Sequence, residues 1–320
     1  EEIRHEVFVV EASSFSLDRV CRFRAKAAAW LNLAPDHLDW HENFQAYATA
    51  KSKIWETQQE GDIAVAPHDD VAVGPWTNNI ASQLLTFGLG QGDVHCTDSE
   101  LIAHGERIVK ISDLRRSRPH DQLNACAATA LALSMGASVQ SVAEVLANFD
   151  GLAHRLEFVA TVDGVRFFDD SKATTPHATV AGMAGFDQAV LIAGGRNKGL
   201  DLVELKELAP RLAGVVVIGE SAETLTHVFD GAVATTLADS MEAGLDHQWL
   251  VGEPRWRRLP DVSLQQEDVA HSENDVTQAG SDGLVLTGDG KQGAGTSNAS
   301  PQISAFAPLE RRTGSHRYPR

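Results

Sequence analysis

The chain has 320 residues, of which 43% are hydrophobic, and its formal net charge is −17. Its length allows about two globular domains of ~150 residues each, and its acidic charge argues against nucleic acid or an anionic membrane as the main partner. The three cysteines, Cys21, Cys96 and Cys126, lie far apart in the sequence, which argues against a disulfide framework or a cysteine zinc site and fits a reducing cytosol.

Apolar runs that predict strands alternate with helical patterns over roughly the first 240 residues. The predicted strands are 7–10, 62–66, 107–111, 157–162, 165–168, 189–193, 215–219 and 232–235. The predicted helices are 43–58, 121–135, 139–148, 176–184, 202–212 and 222–229. Such alternation is typical of an α/β fold with a mostly parallel sheet.

A domain boundary is predicted near Asp150-Gly151, where a helical stretch ends and two strands follow. We therefore expect one domain over 1–150 and a second over 151–246. Periodicity is weak from 247 to 320, and this tail is predicted to be disordered, with Leu284-Val285-Leu286 as an isolated strand candidate.

The two ends of the chain and its hydropathy carry further expectations. No apolar run approaches the ~18 residues of a membrane helix, so we expect no membrane insertion. The first residues are acidic, lack a signal-peptide core and lead directly into the first predicted strand. We therefore expect the sequence to begin within a domain.

Three residues in the first part of the chain are candidates for binding a ligand. Glu11 follows a predicted buried strand, at the sheet edge where open α/β proteins bind ligands. His37 lies in the loop Pro35-Asp36-His37-Leu38-Asp39, and Lys51 lies on the helix that follows. Taken singly, each has an ordinary explanation: an exposed loop acid, a structural histidine and a solvated lysine.

Later segments combine charged residues with turn and cap residues. His120-Asp121-Gln122-Leu123-Asn124 opens an alanine-rich helix that Asp121 is expected to cap. The segment 151–157 contains His-Arg-x-Glu, and Asp-Ser-Lys-Ala-Thr begins 15 positions after Arg155. The ordinary explanation of these residues is a charged hairpin followed by a capped helix. Neither structure requires His-Arg-x-Glu together with Asp-Ser-Lys-Ala-Thr. The strand 189–193 ends at Gly194-Gly195-Arg196-Asn197-Lys198, where backbone N–H groups can approach an anion closely.

Together these segments resemble the Mur ligase family. The resemblance rests first on Glu11, His37 and Lys51, with a spacing of 26 positions between the first two and 14 between the last two. It also rests on the segment 120–124 and on the residue patterns of 151–157 and 170–174. Asp121 replaces the first asparagine of the family's His-Asn-x-x-Asn element. The resemblance covers roughly residues 7–243 and implies a partial central domain followed by a partial, Rossmann-like C-terminal domain.

The resemblance implies a role for each candidate in the first domain. Glu11 and His37 would bind two Mg²⁺ ions, and Lys51 would be carbamylated, which gives a carboxylate-like group that helps to hold the cation. Oxygen ligands completed by phosphates suit Mg²⁺. By the same resemblance, Asn124 would contact the adenine of ATP, and Lys51 and His37 would be catalytic.

For the second domain, the resemblance places Arg155 and Asp170 at the ribose and phosphates of ATP. Lys172 would be catalytic and Thr174 would lie towards the incoming D-glutamate, whose carboxylate Lys198 would hold. The implied reaction adds D-glutamate to UDP-N-acetylmuramoyl-L-alanine through an acyl phosphate, in cytoplasmic peptidoglycan precursor synthesis. The expected partners are these small molecules alone, and the expected state is a monomer.

The sequence departs from the family in ways that leave alternatives open. No G-x-x-x-x-G-K-[ST] phosphate loop occurs in the 320 residues, and the tail lacks the family's Leu-Ser-Pro-x-x-x-Ser-like segment. This chain alone is therefore expected to be weakly active or inactive in an assay for ADP release. One alternative is a non-catalytic nucleotide-binding remnant. The other is a folylpolyglutamate synthase-like ligase, and the residue pattern of 170–174 argues against this second alternative.

Overall fold

The computed structural model describes residues 7–162, 164–197, 199–246, 284–287 and 303–308. The chain divides into two compact units, the first built mainly on Glu1–Gly151 and the second mainly on Leu152–Asn197 and Asp201–Thr277. Each unit has its own sheet and its own buried core. None of the helices in the described ranges has the length and hydropathy needed to span a bilayer.

The first unit is an eight-stranded sheet with helices on both faces. Its strands are β1 (Phe8–Glu11), β2 (Ala27–Ala29), β3 (Ile63–Pro67), β4 (Gln83–Leu89), β5 (Val94–Cys96), β6 (Glu100–Ala103), β7 (Glu106–Lys110) and β13 (Leu284–Thr287). Its helices are α1 (Ser14–Asp18), α2 (Phe44–Glu56), α3 (Pro119–Ser134) and α4 (Val139–Asn148), with short 3₁₀ segments at Gly74–Thr77 and Ile111–Asp113. The strand order is β1-β13-β2-β3-β4-β5-β6-β7.

The two faces of this sheet are assigned by alternation along its strands. Ala27 and Ala29 of β2 belong to a core cluster that includes α3, whereas Ala28 between them belongs to a cluster that includes α2. Successive side chains of a strand point to opposite faces, so α2 and α3 cover opposite sides. The alanines of β2 are fully buried, and their small side chains let both helices approach the sheet closely.

The second unit is a six-stranded sheet. Its strands are β8 (Glu157–Val162), β9 (Val165–Asp169), β10 (Ala189–Gly194), β11 (Leu212–Ile218), β12 (Thr235–Leu237) and β14 (Ile303–Pro308). Its helices are α5 (Pro176–Met183), α6 (Ala222–Phe229) and α7 (Met241–Asp246), with a 3₁₀ segment at Val203–Arg211. The strand order is β12-β11-β10-β14-β9-β8, with β10, β11 and β12 parallel.

The predicted α/β class is confirmed, with parallel strands over β2–β5 and β10–β12, and several element bounds need correction. The helix expected from 121 begins at Pro119, because proline is favoured in the first turn, where its missing N–H costs nothing. The helix expected over 202–212 is the 3₁₀ segment Val203–Arg211, whose Pro210 cannot donate an α-helical hydrogen bond. The strand expected over 232–235 is shifted to Thr235–Leu237.

The tail contributes two strands, of which β13 falls on the strand candidate at 284–286 and β14 was not predicted. β13 is not isolated: it pairs antiparallel with both β1 and β2. β14 pairs antiparallel with both β10 and β9. Ten residues of the tail therefore lie in strands, and a strand that pairs on both edges satisfies its backbone hydrogen bonds whatever its flanking composition. The rest of 247–320 lies outside the described residues.

A buried carboxylate stabilises the start of β3. Asp62 is fully buried and accepts hydrogen bonds from Arg24 Nε at 2.6 Å, Lys26 Nζ at 3.2 Å and the Gln59 N–H at 2.9 Å. Burial opposes ionisation of the Asp62 carboxyl, but these donors outweigh it and lower its pKa from 3.8 to about 2. Asp62 therefore links the residues just before β3 to the segment that precedes β2.

We expect Asp62→Asn to lower the free energy of unfolding by about 2 kcal/mol at pH 7, from the pKa shift. A lowered pKa contributes stability that is complete above the unfolded-state value and is lost as the pH falls through about 2. In urea unfolding, the difference in free energy of unfolding between the two proteins should therefore be complete at neutral pH and roughly halved near pH 3. The exposed Asp69→Asn should change stability by less than ~0.5 kcal/mol. A difference in free energy of unfolding that does not change with pH would contradict this explanation.

Candidate functional site

In the first unit, the carboxyl end of β1 leads directly into the candidate site. Glu11 is the last residue of β1 and is exposed. Ser13 caps α1 by accepting a hydrogen bond from the Ser16 N–H at 3.2 Å. This cap begins α1 immediately after the strand and places Phe15 in its first turn. Glu11 thus lies at the strand end where the sequence predicts a ligand site.

His37 is held by the residue that precedes it. The buried Asp36 accepts a hydrogen bond from the His37 backbone N–H at 2.8 Å through Oδ1, and its Oδ2 lies 3.4 Å from His37 Nε2. The His37 backbone is left-handed, with φ of 52°, a conformation that is uncommon for residues other than glycine. Asp36 therefore fixes both the backbone and the imidazole of His37.

Lys51 is buried, with 2% of its surface exposed. Asn43 begins α2 by accepting a hydrogen bond from the Ala46 N–H at 2.9 Å. Tyr47 and Lys51 are four positions apart on α2 and so share one face. Lys51 Nζ donates to the Tyr47 hydroxyl at 3.3 Å and lies 5.3 Å from the centre of the Tyr47 ring. A lysine so placed is not the solvated surface lysine of the ordinary explanation.

Aromatic rings bring His37 and Lys51 into one cluster. The His37 ring lies 4.7 Å from that of Phe15 and 6.3 Å from that of Tyr47, between ring centres. The His41 ring lies 5.8 Å from Phe15 and 5.4 Å from Tyr47, and His41 Nε2 is 3.0 Å from the buried Ser14 Oγ. Tyr47 thus contacts both His37 and Lys51. Glu11 is joined to the cluster through the chain, four residues before Phe15.

The sequence did not single out Asp36, His41, Tyr47 or Ser14. The four-residue spacing of Tyr47 and Lys51 on a predicted helix was the signal for one of them. The contact between Ser14 and His41 joins residues 27 positions apart and had no local signal. These residues form the packed support that holds the predicted pair in place.

The donor set of this cluster suits a hard cation under one condition. The Glu11 carboxylate and the His37 imidazole can bind Mg²⁺, but a lysine ammonium has three donors and no acceptor. Addition of CO₂ to the Lys51 amine would replace the positive charge with a carbamate that carries two acceptor oxygens. The residues present therefore fit the cation if Lys51 is carbamylated.

Asn124 lies on the first part of α3 and its side chain is exposed. The residue before the helix is Arg118, and Asp121 in the first turn accepts a hydrogen bond from the Arg118 N–H at 3.3 Å. Asp121 thus stabilises the start of α3 from inside the helix, rather than as the first capping residue that the sequence predicts. Burial opposes ionisation of Asp121, but His120 and Arg116 outweigh it and lower the pKa of this carboxyl.

In the second unit, Asp170 organises the candidate loops. Asp170 is 6% exposed, and its Oδ1 accepts a hydrogen bond from the Leu156 N–H at 3.0 Å. A Cβ at Gly182 of α5 would lie 2.9 Å from Asp170 Oδ2, so glycine there leaves room for the carboxylate. Leu156 follows Arg155, which means that Asp170 anchors the backbone beside the predicted nucleotide contact.

A second set of contacts closes the same hairpin. His154 Nδ1 lies 2.7 Å from Asp169 Oδ2, and the His154 N–H donates to Glu157 Oε2 at 2.8 Å. The ligand atoms of these three side chains lie within 4.8 Å of one another. The Lys172 N–H donates to the His154 carbonyl at 3.1 Å. The segments 154–157 and 169–172, predicted as one signal, are therefore joined directly.

The remaining candidates of the second unit differ in how far the structure describes them. The Lys172 side chain is exposed, and those of Arg155 and Thr174 are half-buried. The Gly194-Gly195 turn lies at the carboxyl end of β10, and Ser221 Oγ donates to the Gly195 carbonyl at 2.8 Å. Lys198 lies outside the described residues.

We expect Asp170→Ala to lower the stability of the second unit by about 1–3 kcal/mol, because it removes the acceptor of a buried N–H. Asp170→Asn retains an oxygen at the acceptor position and should lose less. Amide hydrogen exchange of the segment 154–172, read by mass spectrometry in both variants, compares the two losses. Equal losses would show that the charge of Asp170, rather than its hydrogen bond to Leu156, stabilises the loop.

Residues 1–132 match the family described as Mur ligase middle domain. Among curated proteins, the chain is 38% identical over 246 residues to the UDP-N-acetylmuramoylalanine--D-glutamate ligase of Desulfosudis oleivorans, covering 74% of this chain and 53% of that protein. It is 40% identical over 232 residues to the ligase of the same name from Frankia casuarinae, covering 69% and 48%. The chain thus spans about half the length of these relatives.

Solved structures show the same fold. MurF from Acinetobacter baumannii aligns with a TM-score of 0.54 at 21% identity, covering 66% of this chain and 56% of that one. UDP-N-acetylmuramate-alanine ligase MurC from Thermotoga maritima aligns with a TM-score of 0.52 at 19% identity, covering 71% and 53%. The match of the first unit, the identity to these ligases across both units and the shared fold agree: the chain belongs to the Mur ligase family.

Proposed function

We propose that this chain belongs to an ATP-dependent ligase that joins D-glutamate to UDP-N-acetylmuramoyl-L-alanine in peptidoglycan precursor synthesis. The observation that carries the proposal is the buried Lys51, packed against Tyr47 beside His37 in a Mur ligase chain. Relatives that share 38% and 40% identity bear the name of that ligase. The proposal includes ATP and Mg²⁺, small-molecule substrates, and action as a cytoplasmic monomer.

Glu11, His37 and Lys51 would hold the cation. The Lys51 amine attacks the carbon of CO₂ and loses a proton, which leaves a carbamate with two oxygen donors. Bound Mg²⁺ would neutralise charge on the nucleotide phosphates. Tyr47 supports this role, because its hydroxyl and ring hold the Lys51 side chain on the face of α2 that also meets His37. Asp36 fixes the His37 imidazole in turn.

The chemistry assigned to the remaining residues is positioning and charge neutralisation. Transfer of a phosphoryl group from ATP to the substrate carboxylate forms an acyl phosphate and releases ADP. The D-glutamate amine then attacks the acyl carbon, and phosphate leaves from the tetrahedral intermediate. Lys172 would stabilise negative charge that develops on the reacting oxygens, while Thr174 and Lys198 would orient D-glutamate.

The residues proposed to contact the nucleotide are those that the family resemblance implies. Asn124 would contact adenine from the exposed side of α3, and Arg155 and Asp170 would act at the ribose and phosphates. The burial of Asp170 and its bond to the Leu156 N–H support a further role for this carboxylate, which is to fix the backbone that carries Arg155.

Calorimetric titration with ATP, with and without Mg²⁺, tests the proposal on this chain. We expect binding that requires Mg²⁺ and that Asn124→Ala weakens, since the amide can pair with the edge of adenine. Asn148→Ala, at the exposed end of α4, serves as the matched control and should leave the affinity unchanged. Absence of binding with Mg²⁺ present would contradict the proposal and favour a scaffold that does not bind nucleotide.

A further inference from the structure

Two cysteines that are far apart in the sequence lie side by side in the core of the first unit. Cys96 is the last residue of β5, and Cys126 lies in the middle of α3. Their Sγ atoms are 3.5 Å apart although the residues are separated by 30 positions. Cys96 is 2% exposed and Cys126 is fully buried. The exposed Cys21 is the third thiol of the chain.

The surroundings of the two sulfur atoms hold them against each other. The Cys96 thiol lies 3.9 Å from the Gln122 carbonyl, and the Cys126 thiol lies 3.8 Å from the Gly88 carbonyl. Both cysteines belong to the core cluster that joins β4, β5 and α3. A disulfide has an S–S length of ~2.05 Å, so the two sulfurs must approach by only about 1.5 Å to bond.

The two thiols also differ in their tendency to ionise. A hydrogen bond from Cys126 lowers the pKa of Cys96 despite its burial. The same hydrogen bond, together with burial, raises the pKa of Cys126. Because the thiolate is the nucleophile in cysteine chemistry, Cys96 is the sulfur expected to react first, with Cys126 in position to resolve the product.

We propose that Cys96 and Cys126 form an oxidisable dithiol that a hydroperoxide converts into an intramolecular disulfide between β5 and α3. This proposal is independent of the ligase function. Disulfides that form in reducing compartments are usually transient, and they are catalytic or redox-sensing rather than structural. The sequence alone did not indicate this pair, because the two residues share no local motif.

The reaction balances with the peroxide as the only oxidant. The Cys96 thiolate attacks one peroxide oxygen, the O–O bond breaks, and hydroxide leaves, which gives a sulfenic acid on Cys96. The Cys126 sulfur then attacks the Cys96 sulfur, the S–O bond breaks, and a second hydroxide leaves as Cys126 loses its proton. Two thiols and one hydrogen peroxide thus yield one disulfide and two waters.

The bond would change the first half of α3. Cys126 follows the exposed Asn124 by two positions, so drawing its sulfur towards β5 pulls on the helical turn that carries Asn124. β5 is paired with β4 on one side and with β6 on the other, so α3 is the element expected to shift.

Mass spectrometry of the peroxide-treated, natively folded chain tests the proposal. The Cys21→Ser variant removes the exposed thiol from the readout. We expect both remaining thiols to be lost, the mass of the intact chain to fall by two hydrogens, and one peptide pair joined through Cys96 and Cys126. Reduction should restore both thiols. Thiols that survive, or that form only intermolecular disulfides, would overturn the proposal.

A second measurement tests the order of events. In the Cys21→Ser, Cys126→Ser double variant, Cys96 should stop at the sulfenic acid and be trapped by dimedone. In the Cys21→Ser, Cys96→Ser double variant, Cys126 should remain a thiol under the same treatment. Trapping at Cys126 in place of Cys96 would overturn the assignment of the first nucleophile. If either variant fails to fold, peptide mapping of the oxidised wild-type chain still decides whether the bond forms.

Discussion

Replacing Gly194 with alanine is expected to lower the stability of the second unit by about 3 kcal/mol or more, at the upper end of overpacking effects. A Cβ at Gly194 would overlap the Ile218 carbonyl oxygen and would lie 2.6 Å from Ile218 Cγ1. That carbonyl already accepts a hydrogen bond from the Gly195 N–H at 3.3 Å. Gly194 and Ile218 are paired across β10 and β11, so neither strand can retreat without breaking the ladder.

Gly214 provides a matched control for this prediction. It lies on β11 of the same sheet, and its Cβ would meet only the Ala234 carbonyl oxygen, at an ordinary 3.7 Å. Amide hydrogen exchange of β10 and β11, read by mass spectrometry, should accelerate strongly in Gly194→Ala and little in Gly214→Ala. Equal protection in the two variants would contradict the steric argument. The same experiment reports on the Gly195 turn, which Ser221 holds through its bond to the Gly195 carbonyl.

Lys51→Arg is expected to abolish carbamate formation in the first unit. The wild-type chain, equilibrated with ¹³C-bicarbonate, should show a protein-bound carbamate carbon by NMR, and the variant should not, because a guanidinium does not add CO₂. The signal should weaken as the pH falls, since a protonated amine cannot attack CO₂. Mg²⁺-dependent affinity for ATP should fall by at least about tenfold, since even changes to the outer-shell partners of metal ligands typically cost about 10–100-fold in metal affinity.

Lys53 is the control for this second prediction. It lies two positions further along α2, and its Nζ pairs with Asp18 Oδ1 at 3.0 Å on the surface. Lys53→Arg should retain the carbamate signal and the affinity for ATP. A carbamate signal that survives Lys51→Arg would place the modification on another lysine. Loss of the signal in both variants would point to a change in α2 as a whole.

Local sequence patterns were sufficient to predict the bounds of elements whose conformation is set by their own residues. The strand 157–162 and the helices 139–148 and 222–229 have the predicted bounds. Both helices carry an amphipathic pattern, which is a property of their own residues. β2 was missed because its residues are three alanines, which favour helix over strand. They form a strand because only small side chains fit between α2 and α3.

The same distinction applies to the candidate site. The spacing and local residue pattern of Glu11, His37 and Lys51 led to the prediction that these residues act together, and the structure brings His37 and Lys51 together around Tyr47. The support around them was not predictable, because Tyr47 contacts His37 only once the loop before α2 is folded. Asp170 was expected at the nucleotide, and its bond to the Leu156 N–H depends on two segments of the hairpin meeting.

The sequence by itself determined the α/β class, the order of most elements, and the residues that mark this chain as a Mur ligase. These features depend on periodicity and on short motifs, which are properties of neighbouring residues. Only the tertiary structure decided the environment of Lys51, the pairing of Cys96 with Cys126, and the entry of β13 and β14 into the two sheets. Each of these requires contact between residues that are distant in the chain, and such contacts form only where packing offers a partner.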